Sequence, residues 1–202
     1  MAIVTTTTTA LTYLVGQCWL GSILVAGSDE GIVAILLGDD RNALVRSLQS
    51  RFPEARLTEG DERFETLVAE VVRFVEAPAS RFERPLALRG TDFERRVWLA
   101  LREIPAGSTA TYSEIAARIG APHASYDVGQ ACASSPLAVV VPCHRVVRKD
   151  GTLAGYRWGT RRKRALLARE AAAIATPHGS LHVPSAIRTV PGSTPRTWSP
   201  QP

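Results

Sequence analysis

Between residues 11 and 37 the apolar positions come in three short runs, LTYLVG, SILVAG and GIVAILLG, punctuated by Gly21, Gly27 and Gly31. Runs of this length between glycines predict the strands of a small antiparallel sheet. The period then changes. In DRNALVRSLQSRFP, Leu44, Val45, Leu48 and Phe52 recur at helical spacing until Pro53 stops the pattern. In DERFETLVAEVVRFVEAP the same spacing runs through Phe64, Leu67, Val68, Val71, Val72 and Val75. Two amphipathic helices are expected there, followed by LALRG as an extended link.

The second half opens with TDFERRVWLALREIPAG, where Phe93, Val97, Leu101 and Ile104 form one apolar stripe. Thr91 or Asp92 can cap this helix, and Pro105 and Gly107 end it. TYSEIAARIGAPHASYDVGQACAS predicts a short helix, a turn at Gly120-Ala121-Pro122, and a second helix capped by Ser125. That spacing suits a helix-turn-helix and equally a packed αα-corner. VVVPCHRVVR reads as a buried strand ended by Pro142, and a glycine-punctuated loop leads from it to a basic helix with Leu166 and Leu167 facing inward. Residues 171–202 are rich in Pro, Ser and Thr without apolar period, and are expected to be a disordered tail, because too little apolar surface is there to offset ordering entropy. The pattern as a whole predicts an α+β fold, with a small N-terminal α/β domain over 10–85 and a mainly helical domain over 86–170.

A chain of 202 residues, 45% hydrophobic and 21% charged, has room for one or two compact domains. No apolar stretch approaches the roughly 20 residues that cross a bilayer, and MAIVTTTTTALTYLVG lacks the basic flank of a secretory signal, so a cytoplasmic protein without a membrane partner is expected. Charge is uneven. Residues 1–85 carry 8 Lys and Arg against 12 Asp and Glu, a balance of −4, while residues 86–170 carry 14 against 7, a balance of +7. A basic half is the footprint of a nucleic-acid binder and also ordinary for an arginine-rich surface.

Cys18, Cys132 and Cys143 have neither the number nor the spacing of a disulfide framework or a zinc site, so reduced thiols, no metal and no cofactor are expected. Cys18 and Cys132 lie within an apolar strand and a helix and read as small buried hydrophobes. Cys143 differs, because Pro142 breaks the apolar run and His144 and Arg145 follow at once. A thiol attacks only as the thiolate, so it needs a base, and an adjacent imidazole oriented by a carboxylate supplies one. Glu170 on the last helix is the candidate carboxylate.

PCHRVV, together with DFERRVWLALREIPAGSTATYSEIA upstream and GTLAGYRWGTRRKRALLARE downstream, resembles the O6-alkylguanine-DNA alkyltransferase family, most closely its Ada-type members, over about residues 10–170. The resemblance implies a ribonuclease H-like N-terminal domain and a C-terminal domain with a helix-turn-helix. It implies a suicide methylated-DNA-protein-cysteine S-methyltransferase, which rotates O6-alkylguanine out of double-stranded DNA and takes its alkyl group in one turnover, as a monomer without a cofactor. By matching position, Cys143 is the acceptor, His144 the base, Glu170 its orienter and Tyr112 the proton donor toward N3 of guanine. Val146, Arg157, Trp158, Lys163 and Ser135 are the implied substrate-binding residues. Thr111, Ser125, Tyr126, Asp127, Gln130 and Arg145 are the implied DNA contacts. Ada-type members carry a separate four-cysteine domain that these residues do not contain, so repair without its methyl-driven transcriptional switch is expected.

Three positions depart from the family pattern. Tyr126 stands where an arginine usually replaces the flipped base, Asp127 where a small residue is usual, and Ser135 where an asparagine braces the turn before the cysteine. A tyrosine can wedge between bases but offers no guanidinium, and a carboxylate near phosphates is electrostatically unfavourable. These changes keep two rivals in view, a damage-recognition module without efficient transfer and an alkyl acceptor that no longer uses DNA.

Overall fold

The computed structural model describes residues 10–175 and 196–197. Strands β1 (Ala10–Cys18), β2 (Gly21–Ser28) and β3 (Gly31–Gly38) form the expected antiparallel meander. β2 and β3 are buried along nearly their whole length, which explains why their sequences are continuously apolar rather than alternating. Helix α1 (Arg41–Arg51) follows, capped by Asp40, with Leu44 and Leu48 in the core. A fourth strand, β4 (Arg56–Glu59), then pairs in parallel with β1, giving the order β3-β2-β1-β4. The sequence reading did not anticipate β4. Its four residues, RLTE, are mostly polar, and it exists because β1 offers an open edge. Helix α2 (Glu62–Glu76) is capped by Asp61 and buries Val68, Val71, Phe74 and Val75, adding Phe74 to the expected stripe.

Helix α3 (Asp92–Arg102) starts at Thr91, whose hydroxyl accepts from the Glu94 N–H while the Glu94 carboxylate accepts from the Thr91 N–H. Strand β5 (Ser108–Thr111) leads into α4 (Tyr112–Arg118), which Thr111 and Glu114 cap in the same reciprocal way. Gly120 takes φ 72°, and the Ala121 N–H reaches back to the Ala116 carbonyl at 2.9 Å, closing α4 as a Schellman turn. Helix α5 (Ser125–Ser134) packs against α3 and α4. Its N-cap is Ala124, which makes no side-chain cap, so Ser125 is the first helical residue and not the expected cap.

The valine run corrects the sequence reading most clearly. It is not a strand. Leu137 makes a single bridge to Ile35, and the chain then folds through two tight turns. The Val140 N–H bonds the Ala138 carbonyl at 2.7 Å around Val139 at φ 65°, and the Cys143 N–H bonds the Val141 carbonyl at 2.8 Å around Pro142. The first is a γ-turn of the rare positive-φ form, and the second the relaxed inverse form. A β-branched residue at positive φ costs about 1–3 kcal/mol. Val139→Gly is therefore expected to leave stability within about 1 kcal/mol of the parent in urea titration, since relief of this strain offsets the loss of a buried side chain.

A short 3-10 turn, Cys143–Arg145, is followed by strand β6 (Val146–Val147), which pairs in parallel with β5. Helix α6 (Thr160–Ala175) buries Leu166, leaves Leu167 half-buried, and also buries Arg162, Lys163 and Glu170. It runs five residues beyond the expected start of the tail at 171, because Glu170 and the residues after it pack back toward Gly107. Within the span expected as a tail, strand β7 (Arg196–Thr197) pairs in parallel with β5. The rest of that tail, 176–195 and 198–202, lies outside the described residues.

The buried apolar side chains of both halves form one continuous cluster. The outer edge of β3 joins them. Ile32 exchanges hydrogen bonds with Pro85 and Ala87, and Ile35 with Pro136 and Ala138, so the segment leading to Cys143 hangs directly on the first sheet. Arg162 strengthens the junction by donating to the Leu20 carbonyl at 2.8 Å and to Asp39 at 2.5 Å. Among the described residues no helix is long and apolar enough to cross a membrane.

Candidate active site

Cys143 opens the 3-10 turn at 7% exposure, with the Pro142 turn presenting its sulfur to a pocket of about 330 Å³. Tyr112 at the head of α4, Gly129 and Cys132 on α5, and Tyr156 and Arg157 from the loop before α6 complete the wall. A larger cavity of about 610 Å³ adjoins Pro142 and Arg145, and no cysteine is among its described lining residues.

Behind the sulfur lies a buried charge cluster. His144 and Glu170 are both fully buried, and His144 Nε2 is 2.7 Å from Glu170 Oε1. The carboxylate also accepts from the Gly107 N–H at 3.1 Å and from the Arg145 guanidinium, through Nε at 3.0 Å and Nη2 at 2.9 Å. Burial alone would push the Glu170 carboxyl up, but the hydrogen bonds and charges of His144 and Arg145 outweigh it and hold it down at about 2. Burial pushes His144 down, against the pull of Glu170, so the imidazole is neutral at neutral pH. An ionised Glu170 can only accept, which places the imidazole proton on Nε2 and leaves Nδ1, buried and without a hydrogen-bond partner among the described residues, as a free base.

Gly107 suits this geometry. It has φ 72°, a left-handed conformation that side chains adopt only at a cost, and in it the N–H reaches Glu170.

Arg145, named above among the implied DNA contacts, is turned into the protein. Beyond Glu170 it donates to the Ile104 carbonyl at 2.6 Å and the Pro78 carbonyl at 3.2 Å, and it is 7% exposed. A buried guanidinium beside a buried carboxylate stays paired, because the alternative is an uncompensated charge in the interior. Ser135 is likewise buried behind the pocket, not on its wall, and its hydroxyl accepts from the Leu137 N–H at 3.3 Å.

The other substrate-side residues fall around the cavity. Burial, then the two thiols, pushes the Tyr112 phenol up to about 12, so it is a donor at any physiological pH. Lys163, lowered to about 8 by burial, donates to the Val146 carbonyl at 2.6 Å. Arg157 lines the opening, donates to the Ala133 carbonyl at 3.0 Å and stacks over Trp158, which packs behind it. On the outer surface, Tyr126 is 75% exposed at the start of α5, with Asp127 and Gln130 exposed and Ser125 half-exposed beside it. The half-exposed Thr111 uses its hydroxyl in the α4 cap.

Five pocket residues escaped the sequence reading: Gly129, Cys132, Ala133, Gly155 and Tyr156. Tyr156 closes the cavity, its ring edge-on to His144 at 6.3 Å between centroids, and its buried hydroxyl has no hydrogen-bond partner among the described residues. Cys132, taken for an inert core thiol, faces Cys143. A signal existed: Gly129, Cys132 and Ala133 share one α5 face through i, i+3 and i+4 spacing and are uniformly small, as a helix face bordering a cavity must be.

The family profile described as "6-O-methylguanine DNA methyltransferase, DNA binding domain" matches residues 92–172. The chain is 49% identical over 162 residues, 80% of its length, to the bifunctional transcriptional activator/DNA repair enzyme Ada of Escherichia coli, and spans 46% of that protein. It is 37% identical over 155 residues to a methylated-DNA-protein-cysteine methyltransferase of Methanosarcina acetivorans, covering 77% of this chain and 95% of that one. Among solved structures, Mycobacterium tuberculosis OGT in complex with DNA superposes with a TM-score of 0.68 at 36% identity, covering 80% of this chain and 93% of that one. The chain thus spans less than half the length of the Ada proteins it matches, and from 66% to 95% of the shorter methyltransferases.

Proposed function

The chain belongs to the O6-methylguanine-DNA methyltransferase family, and from that premise we propose that it repairs O6-alkylguanine in double-stranded DNA by a single, irreversible transfer of the alkyl group to Cys143. The observation that carries this reading is the pairing of a pocket-wall thiol with a neutral histidine whose far nitrogen is locked to an ionised carboxylate.

In the proposed reaction His144 Nδ1 takes the Cys143 proton, directly or through one water, and the resulting imidazolium is stabilised by Glu170. The thiolate attacks the alkyl carbon, a carbon–sulfur bond forms, and the bond from that carbon to O6 breaks with its electron pair passing to guanine. Tyr112 donates toward N3 as charge grows on the leaving base. The product thioether has no base to return to, so one chain repairs one lesion. The Cys143 and Val146 carbonyls read the exocyclic amine in this reading, with Lys163 holding Val146 in place.

Helices α4 and α5 act as a helix-turn-helix, with α5 at the duplex and Tyr126 as the wedge that fills the stack when the guanine leaves. The first half, a meander with a parallel fourth strand and two helices, is the ribonuclease H-like domain, and it braces the segment before Cys143. A basic second half opposite the phosphates supports duplex binding.

Incubation with duplex DNA containing O6-methylguanine is expected to add one methylene to the intact protein mass, and Cys143→Ala to abolish the gain while the duplex is still bound. Unmodified wild-type protein on a bound duplex would overturn the transfer reading. The double substitution Tyr126→Arg with Asp127→Ala is expected to tighten duplex binding about tenfold and to steepen its salt dependence, measured by fluorescence anisotropy across a salt series.

A further inference from the structure

Cys132 and Cys143 reach the same pocket from different elements, one from α5 and one from the 3-10 turn. Both border a single cavity of about 330 Å³, together with Tyr112 at the head of α4 and Gly129 and Ala133 on α5. The approach is built into the fold. Only residues 133–142 separate the two cysteines, and this short loop is tied down by the Ser135 and Leu137 bonds, the two γ-turns and the bridge to Ile35. The proposed alkyl transfer assigns no role to Cys132. The third cysteine, Cys18, belongs to β1 in the other sheet and donates to the Gly21 carbonyl.

We propose that Cys132 is a resolving cysteine, and that oxidation of the pocket produces an intramolecular Cys132–Cys143 disulfide. The oxidant is a hydroperoxide. Attack of the Cys143 sulfur on the peroxide O–O bond gives a sulfenic acid and releases an alcohol, or water from hydrogen peroxide. The Cys132 sulfur then displaces hydroxide from that sulfenic sulfur, the sulfur–sulfur bond forms, and the departing hydroxide takes the thiol proton as water. Two thiols lose two electrons in all, which the peroxide accepts. The disulfide bars Cys143 from accepting an alkyl group, and a dithiol reductant restores it by exchange. Without Cys132 the sulfenic acid has no partner within reach and proceeds to the irreversible sulfinic and sulfonic acids.

The inference concerns the same pocket but not its substrate, so it can be tested without DNA. The full chain is treated with hydrogen peroxide, denatured, labelled with iodoacetamide and weighed intact. The expected result is a fall from three carbamidomethyl groups to one, on Cys18, with a loss of two hydrogens, and a return to three after dithiothreitol. In Cys132→Ser, and in Cys132→Ala should the serine variant fold poorly, Cys143 is expected to accumulate sulfinic acid that dithiothreitol does not reverse. Peroxide-treated wild type that keeps three labelled thiols, that over-oxidises Cys143 beside a free Cys132, or that links either residue to Cys18 would overturn the proposal. Each outcome is read by mass, so a failed methyl transfer and a failed disulfide are separate results.

Discussion

Glu170→Ala is expected to cost about 3–5 kcal/mol of stability in urea titration and to reduce alkyl transfer to near the Cys143→Ala level. The carboxylate is the common acceptor for His144, Arg145 and Gly107. Its removal leaves a guanidinium buried without a counter-charge, an N–H without an acceptor, and an imidazole free to choose the wrong tautomer. Glu170→Gln separates the effects. The amide oxygen can still accept from His144 Nε2, but its NH2 then faces Arg145, so the variant should be less destabilised than alanine while its transfer rate still falls.

The same cluster sets the acid limit. Glu170 is held at about 2 when folded, against an ordinary 4.5, so its contribution is complete above about pH 4.5 and is lost as pH falls toward 2. That difference corresponds to roughly 3 kcal/mol. His144 acts in the same direction. Its folded pKa lies below the ordinary 6.5, so the unfolded chain binds the proton more readily and stability declines as pH drops below about 6.5. Urea midpoints measured from pH 7 to pH 3 should therefore decrease throughout, and Glu170→Gln should flatten the lower part of that curve.

Trp98→Ala is the second large effect, expected at about 3–5 kcal/mol. The ring is 1% exposed beneath α5, and its Nε1–H donates to the Ala131 carbonyl at 2.7 Å. Deletion opens a cavity between α3 and α5 and releases the helix carrying Tyr126 on one face and Cys132 on the other. Duplex binding and alkyl transfer should thus fall together, by anisotropy and intact mass, beyond what reduced folded population accounts for. Trp98→Phe, which keeps most of the apolar volume but lacks the N–H, should recover most of the stability.

Much of the fold was legible because its elements record their surroundings locally. β2 and β3 are continuously apolar since both faces are covered, α3 carries a stripe and a capping box, and Gly120 marks the positive-φ turn between α4 and α5. β4 was not legible, because RLTE has no pattern of its own and owes its existence to the β1 edge. Within the site, Cys143, His144 and Glu170 were named from the motif and its chemistry, and the structure brings His144 Nε2 to 2.7 Å from Glu170 Oε1. The burial of Arg145 was not legible, because an arginine in a basic segment has the same letters whether it faces outward or pairs with a buried carboxylate.

The sequence by itself determined which atoms are available to react: one thiol released from an apolar run by proline, an imidazole beside it, and a carboxylate on the last helix. Tertiary structure alone decided that Arg145 turns inward, that three valines make tight turns instead of a strand, and that Cys132 and Cys143 share one pocket. The physical reason is that periodicity reports how much of a residue is buried, whereas charge pairing, backbone strain and thiol proximity depend on which distant segment arrives to complete the burial.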